Sequence, residues 1–99
     1  MTVRKTVCGN RMELEMEGKF DAVSAPKFET EYSAQLEGIN ELSINMSAVE
    51  YISSAGLRAL LFLQQTMEET GGSLSVRNPS AVVMDIFEIT GFSDVISIE

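Results

Sequence analysis

The sequence has no histidine, one cysteine and two prolines in 99 residues. Each scarcity closes off a class of chemistry. Without histidine the commonest general base near neutral pH is missing, and so is the commonest metal ligand. Cys8 alone cannot supply the donors of a zinc site. It also cannot close an internal disulfide, which fits a reducing compartment. Basic residues are few: 7 Lys and Arg stand against 15 Asp and Glu, a formal charge of −8. A chain this acidic lacks the basic stripe that a phosphate backbone requires, so no nucleic acid is expected as a partner. Anionic lipid would repel it. No apolar run approaches the roughly 18 residues of a membrane helix. The opening Met1-Thr2-Val3-Arg4-Lys5 is not followed by the apolar core of a secretory signal. The expectation is therefore a cytoplasmic protein without cofactor or metal, whose partner is a basic or mixed-charge protein.

What is present suits an ordinary globular domain. Apolar residues make up 44% and charged residues 22%, and a domain of this length can bury a core without metal or disulfide. No linker or repeat divides the chain, so residues 1–99 are read as one domain. Five stretches alternate with period 2. Val3 and Val7 oppose Arg4 and Thr6, and Met12, Leu14 and Met16 oppose Glu13, Glu15 and Glu17. Leu42, Ile44 and Met46 oppose Ser43, Asn45 and Ser47. Leu74 and Val76, then Ile96 and Ile98, repeat the pattern among serines. Each predicts a strand with one dry face and one wet face. Gly9-Asn10 predicts a hairpin turn between the first two.

Three stretches have helical period. The first is expected to start at Ser24 as N-cap with Pro26 in its first turn, stapled by Val23 and Phe28. It carries Phe28, Tyr32 and Leu36, with Gly38 as its stop. The second is expected over about Ser54–Thr70, with Leu57, Leu60, Leu61 and Met67 on one face and Gly71-Gly72 after it. The third follows Asn78-Pro79 with Ser80 as cap. It buries Val83, Ile86 and Phe87 and ends on a left-handed Gly91, beyond which Phe92 packs on Phe87. Strands alternating with helices imply parallel, right-handed crossovers. The strands are polar on one side, so the expected fold is α/β, a mixed β-sheet with all helices packed on one face. Three glutamates in a row argue for a bare opposite face, although an oligomer covering it is the alternative.

The stretch that joins the third strand to the second helix, Val49 to Arg58, concentrates the chemistry, because such loops form the usual functional edge of an α/β sheet. Ser53 and Ser54 at a helix start have three readings. A serine there caps the first turn. A serine on a tight strand-to-helix turn is also the arrangement of hydrolase nucleophiles, but Ile52-Ser53-Ser54-Ala55-Gly56 lacks the first glycine of that motif and no histidine is available to take the proton. Ser24-Ala25-Pro26-Lys27 has the spacing of a Ser–Lys pair, and helix capping accounts for it without catalysis. The third reading is a phosphate acceptor, since a helix N-terminus can hold a dianion without melting.

The segment Asn45-Met46-Ser47-Ala48-Val49-Glu50-Tyr51-Ile52-Ser53-Ser54-Ala55-Gly56-Leu57-Arg58-Ala59-Leu60-Leu61 resembles the signature of STAS domains, and specifically that of bacterial anti-sigma factor antagonists. Gly18-Lys19-Phe20-Asp21 followed by Ala25-Pro26 resembles the family's segment before the first helix, and Ile86 to Phe92 resembles its third helix and glycine turn. The resemblance implies a STAS-type fold and a non-enzymatic, partner-switching function. Such a protein binds an anti-sigma factor that is also a serine kinase, freeing a sigma factor. Phosphorylation dissolves the complex and a serine phosphatase restores it. The acceptor position falls on Ser54, with Ser53 as a second candidate. Ser53 stands where many members have aspartate, and Asn45-Met46-Ser47 stands where the family has Asp-Leu-Ser. Asp21 matches a family aspartate near the same edge, or is a solvated turn residue. The docking residues implied are Asp21, Ser53, Ser54, Ala55, Gly56 and Arg58. Phe62 lies on the Arg58 side of the second helix, as a partner anchor or as a ring tucked against a loop. Cys8 reads as a passive thiol, and Met12, Met16, Met46 and Met67 read as core. The molecule is expected as a monomer or weak dimer. The alternative function is a STAS scaffold or a subunit of a lipid-transport or other signalling complex, without phospho-switching.

Overall fold

A computed structural model describes residues 1–99. The chain runs β1 (Thr2–Cys8), β2 (Arg11–Phe20), α1 (Ser24–Ser33), β3 (Glu41–Ile52), α2 (Ser54–Glu69), β4 (Ser73–Arg77), α3 (Ala81–Thr90), a 3₁₀ turn (Phe92–Asp94) and β5 (Ser97–Ile98). The five strands form one sheet in chain order, β1-β2-β3-β4-β5. β1 and β2 are an antiparallel hairpin closed at Gly9-Asn10, and every later pairing is parallel. Three right-handed crossovers that step the same way across a sheet put all three helices on the same face. Met12, Leu14, Met16, Leu42, Ile44, Met46, Leu74 and Val76 point into that face, where they join Phe28, Leu60, Leu63, Met67, Val83 and Phe87 in one buried cluster. The mixed sheet, the one-sided helices and the methionine core match the expectation.

The outer face carries the polar partners of each strand, laced by Arg4–Glu15 at 3.1 Å, Arg11–Glu41 at 2.9 Å and Arg77–Glu13 at 3.6 Å. Ser43 departs from the pattern. It lies on this polar side yet is only 6% exposed, and its hydroxyl has no partner. Glu13 is its neighbour on β2, and Arg77 pairs with Asn45 on β4. The Arg77–Glu13 pair therefore spans β3 from one side to the other and roofs the small serine.

Four local expectations need correction. Ser24 is the first residue of α1 and not its cap; no side chain caps from the N-cap position, Val23. The side-chain bonds come from three residues earlier, where Asp21 Oδ1 accepts from the amides of Val23 and Ser24 at 3.0 and 3.2 Å. The Val23–Phe28 staple is absent, because Val23 is 73% exposed while Phe28 is buried. Helix α1 ends at Ser33, so Leu36 and Gly38 belong to the loop that follows. In α2 the fully buried face is Gly56, Ala59, Leu60, Leu63 and Met67. Leu57 and Leu61 are only half-buried at its margin. The third helix agrees with the sequence in its caps. Ser80 accepts from the Val83 amide at 3.3 Å, Gly91 has φ +77°, and the Phe87 and Phe92 rings lie 5.3 Å apart.

Candidate partner-docking site

The carboxyl ends of β2 and β3 sit side by side, since Phe20 pairs with Ile52. Each strand then releases the chain into a turn: Asp21 after β2, Ser53 after β3. The two turns are locked together by the Ser53 amide, which donates to the Phe20 carbonyl at 3.0 Å. Gly56 completes the lock. A Cβ at that position would lie 2.7 Å from the Phe20 carbonyl oxygen and 2.8 Å from Ile52 Cγ1. Only a residue without a side chain lets the first turn of α2 settle against the end of β2.

The two serines have different situations. Ser53 is the N-cap of α2, with extended backbone, and its hydroxyl accepts from the Gly56 amide at 3.4 Å. It is half-buried. Ser54 is the first helical residue; it is exposed and takes no part in the cap. Helical geometry leaves the amides of Ser54 and Ala55 without an intrahelical partner, at the positive end of the helix dipole. Asp21 stands at the end of the adjacent strand. Hydrogen bonds from the backbone amides of Ser24 and Val23 hold its carboxyl below the ordinary value of 3.8 against the opposing effect of burial, with lesser help from the Ser24 hydroxyl and the Lys19 charge. Asp21 is thus both the structural anchor of its turn and a charged group at the edge.

The remaining sequence candidates sort by helical angle. Ser54, Arg58 and Phe62 lie at i, i+4 and i+8 on the solvent side of α2, with Arg58 exposed and the Phe62 ring 43% exposed. Ala55 is half-buried and Gly56 buried, so they shape the backbone of the site more than its surface. Two exposed apolar residues at the same edge were not singled out from the sequence: Tyr51 at the end of β3 and Val23 after Asp21. Tyr51 carried a usable signal, an aromatic on the polar parity of a strand end. Val23 carried none, because it read as a staple. Asn45 makes a local bond at an irregular point of the sheet. Its Oδ1 accepts from the Ser47 amide at 3.0 Å where the β2–β3 register shifts. No group of three or more acidic or thiol side chains is placed to hold a metal ion, and no helix is long and apolar enough to cross a membrane.

A family model described as STAS domain matches residues 2–99. The chain belongs to the STAS domain family. Among curated relatives of this STAS chain is the anti-sigma-B factor antagonist of Bacillus subtilis (strain 168), 30% identical over 89 residues, which is 90% of this chain and 82% of that protein. The fold of the family is reproduced closely. The anti-sigma factor antagonist SpoIIAA in its unphosphorylated form superposes with a TM-score of 0.86 at 16% identity, covering 99% of this chain and 88% of that one. The Bacillus SpoIIAA in its phosphorylated form superposes with a TM-score of 0.77 at 15% identity, covering 99% and 91%.

Proposed function

We propose that this STAS protein is an anti-sigma factor antagonist of the partner-switching kind, which is not an enzyme and works in the cytoplasm. Unmodified, it binds an anti-sigma factor that is also a serine kinase, and the sigma factor is released. The kinase transfers phosphate from ATP to Ser54, the complex separates, and a serine phosphatase resets it. The observation that carries the reading is the exposed Ser54 hydroxyl at the first position of α2, beside the Asp21 turn and in line with Arg58 and Phe62. The names of the curated relatives support it, as does the existence of a structural neighbour in two phosphorylation states.

The physics of the switch is local charge on a rigid edge. A phosphate adds roughly 1.5 to 2 negative charges. The free amides at the start of α2 can hold that dianion without unwinding the helix. A partner surface shaped for a neutral hydroxyl would meet the dianion without a counter-charge, and a desolvated unpaired charge is costly. Ser53 is the less suited acceptor, because its hydroxyl is already committed to the cap.

Incubation with a cognate kinase and ATP, followed by mass spectrometry, should place one phosphate on Ser54. Ser54→Ala should remain bound to the kinase and Ser54→Asp should not. If Ser54→Asp binds as well as the parent, switching by charge at this site is wrong and the scaffold reading replaces it.

A further inference from the structure

Helix α2 begins with an electrostatic imbalance. Its first turn holds no acidic residue, although negative side chains are favoured at the positive end of a helix. The first charge along the helix is a cation, Arg58, and no other follows until Glu68. Arg58 is exposed. It has no carboxylate within ion-pairing distance, whereas Arg4, Arg11 and Arg77 each meet a glutamate. An unpaired arginine is out of character in a chain with 15 acidic residues. Its own helix offers it no partner. Side chains three and four positions apart are neighbours on a helix, and those of Arg58 are Ser54, Ala55, Leu61 and Phe62. Of these only Ser54 is able to acquire a charge. The acids of the adjoining strand ends are Asp21 and Glu50. Asp21 Oδ1 is taken by the amides of Val23 and Ser24, and Glu50 is exposed on the end of β3.

We propose that Arg58 is the internal counter-ion of the Ser54 phosphate, a positioning residue that closes onto the modified serine and so leaves a partner's reach. The phosphate precedes the cation by four residues, the favoured order for an i, i+4 pair on a helix. A guanidinium can give a phosphate two parallel N–H bonds. Both side chains are exposed, so the pair forms by rotamer changes with the backbone at rest. Modification then does more than add charge. In the unmodified chain Arg58 is free to donate to a carboxylate of a docked protein, and in the modified chain it is spent within its own helix. The net charge of the Ser54–Arg58 patch passes from one positive to roughly one negative, so its sign reverses.

Because this pairing rests on Ser54 being the acceptor, the test installs phosphoserine at position 54 during synthesis and uses no kinase. The whole chain carrying it is compared with its Arg58→Gln and Arg58→Lys variants, which change an exposed side chain and leave the core alone. The phosphorus NMR shift is followed through the second ionisation of the phosphate. Lys19, Asp21 and Glu50 stand at the same edge in all three chains, so a difference reports residue 58. A nearby cation favours the dianion. Arg58→Gln should therefore raise the proton affinity of the phosphate about twofold, the worth of an exposed i, i+4 pair. Arg58→Lys keeps the cation and should lie between the two. The Arg58 Nε–H resonance should move when the phosphate is present, and added salt should narrow the gap between the parent and Arg58→Gln. Equal titration of those two chains, or an Arg58 resonance indifferent to the phosphate, would overturn the pairing and leave the Ser54 switch standing. So would Arg58→Lys titrating as Arg58→Gln does. A kinase that fails to label Ser54 would overturn the switch and leave these titrations unaltered.

Discussion

Two adjacent serines at the start of α2 divide the work between them. Ser53 secures the helix and Ser54 faces solvent, so their alanine variants should differ in kind. Ser53→Ala removes the cap and should cost about 1 kcal/mol of stability in a urea titration. Ser54→Ala removes nothing that bonds within the fold and should stay within about 0.5 kcal/mol of the parent, while abolishing phosphate incorporation. Asp21 offers a pH test. Its pKa is lowered in the folded state, so the stability it provides is present above the unfolded value and is lost as pH falls through the folded one. Asp21→Asn should therefore be less stable than the parent at pH 7. The gap should close as pH drops below 3.8, measured by denaturation at a series of pH values. Asp21 holds this turn together with Ser24, whose hydroxyl accepts from the Asp21 amide and donates to the Lys19 carbonyl, and the part of Asp21 was open to reading in the sequence. Asp followed two and three residues later by free amides is a common local bond.

At the scale of elements, the docking edge depends on how closely α2 meets β2. Gly56→Ala places a Cβ within 2.7 Å of the Phe20 carbonyl. Relief requires α2 to shift from the strand end, and overpacking of this kind costs about 1–3 kcal/mol. The variant should melt lower and should also bind the anti-sigma partner more weakly, because Ser54 and Asp21 would no longer keep their spacing. The element order, the strands and the one-sided packing were legible, because alternation and helical period report burial, except in the edge strand β1, where Val7 alternates correctly yet is 49% exposed. The phase of α2 was legible only in part. Of the expected face Leu57, Leu60, Leu61 and Met67, the second and last are buried, whereas Leu57 and Leu61 lie at its margin and Gly56, Ala59 and Leu63 complete the contact. Small residues mark the closest approach of two backbones and disappear from any count of hydrophobicity. The Ser43 pocket was illegible for a related reason. Its burial comes from an ion pair reaching across two neighbouring strands, and period 2 along one strand holds no information about that.

For the whole molecule, the charge of −8 sets the terms of association. A partner with a basic or mixed surface is drawn in over a range that salt controls. Binding to it should slow as ionic strength rises, chiefly in the association rate, which stopped-flow mixing at several salt concentrations would measure. A dissociation rate that carried the whole salt effect would contradict electrostatic steering. The strands lie in the sheet in the order in which the chain presents them. A nascent chain leaving the ribosome can therefore add each strand to the margin that its predecessor has just created, and no later segment has to thread back between earlier ones.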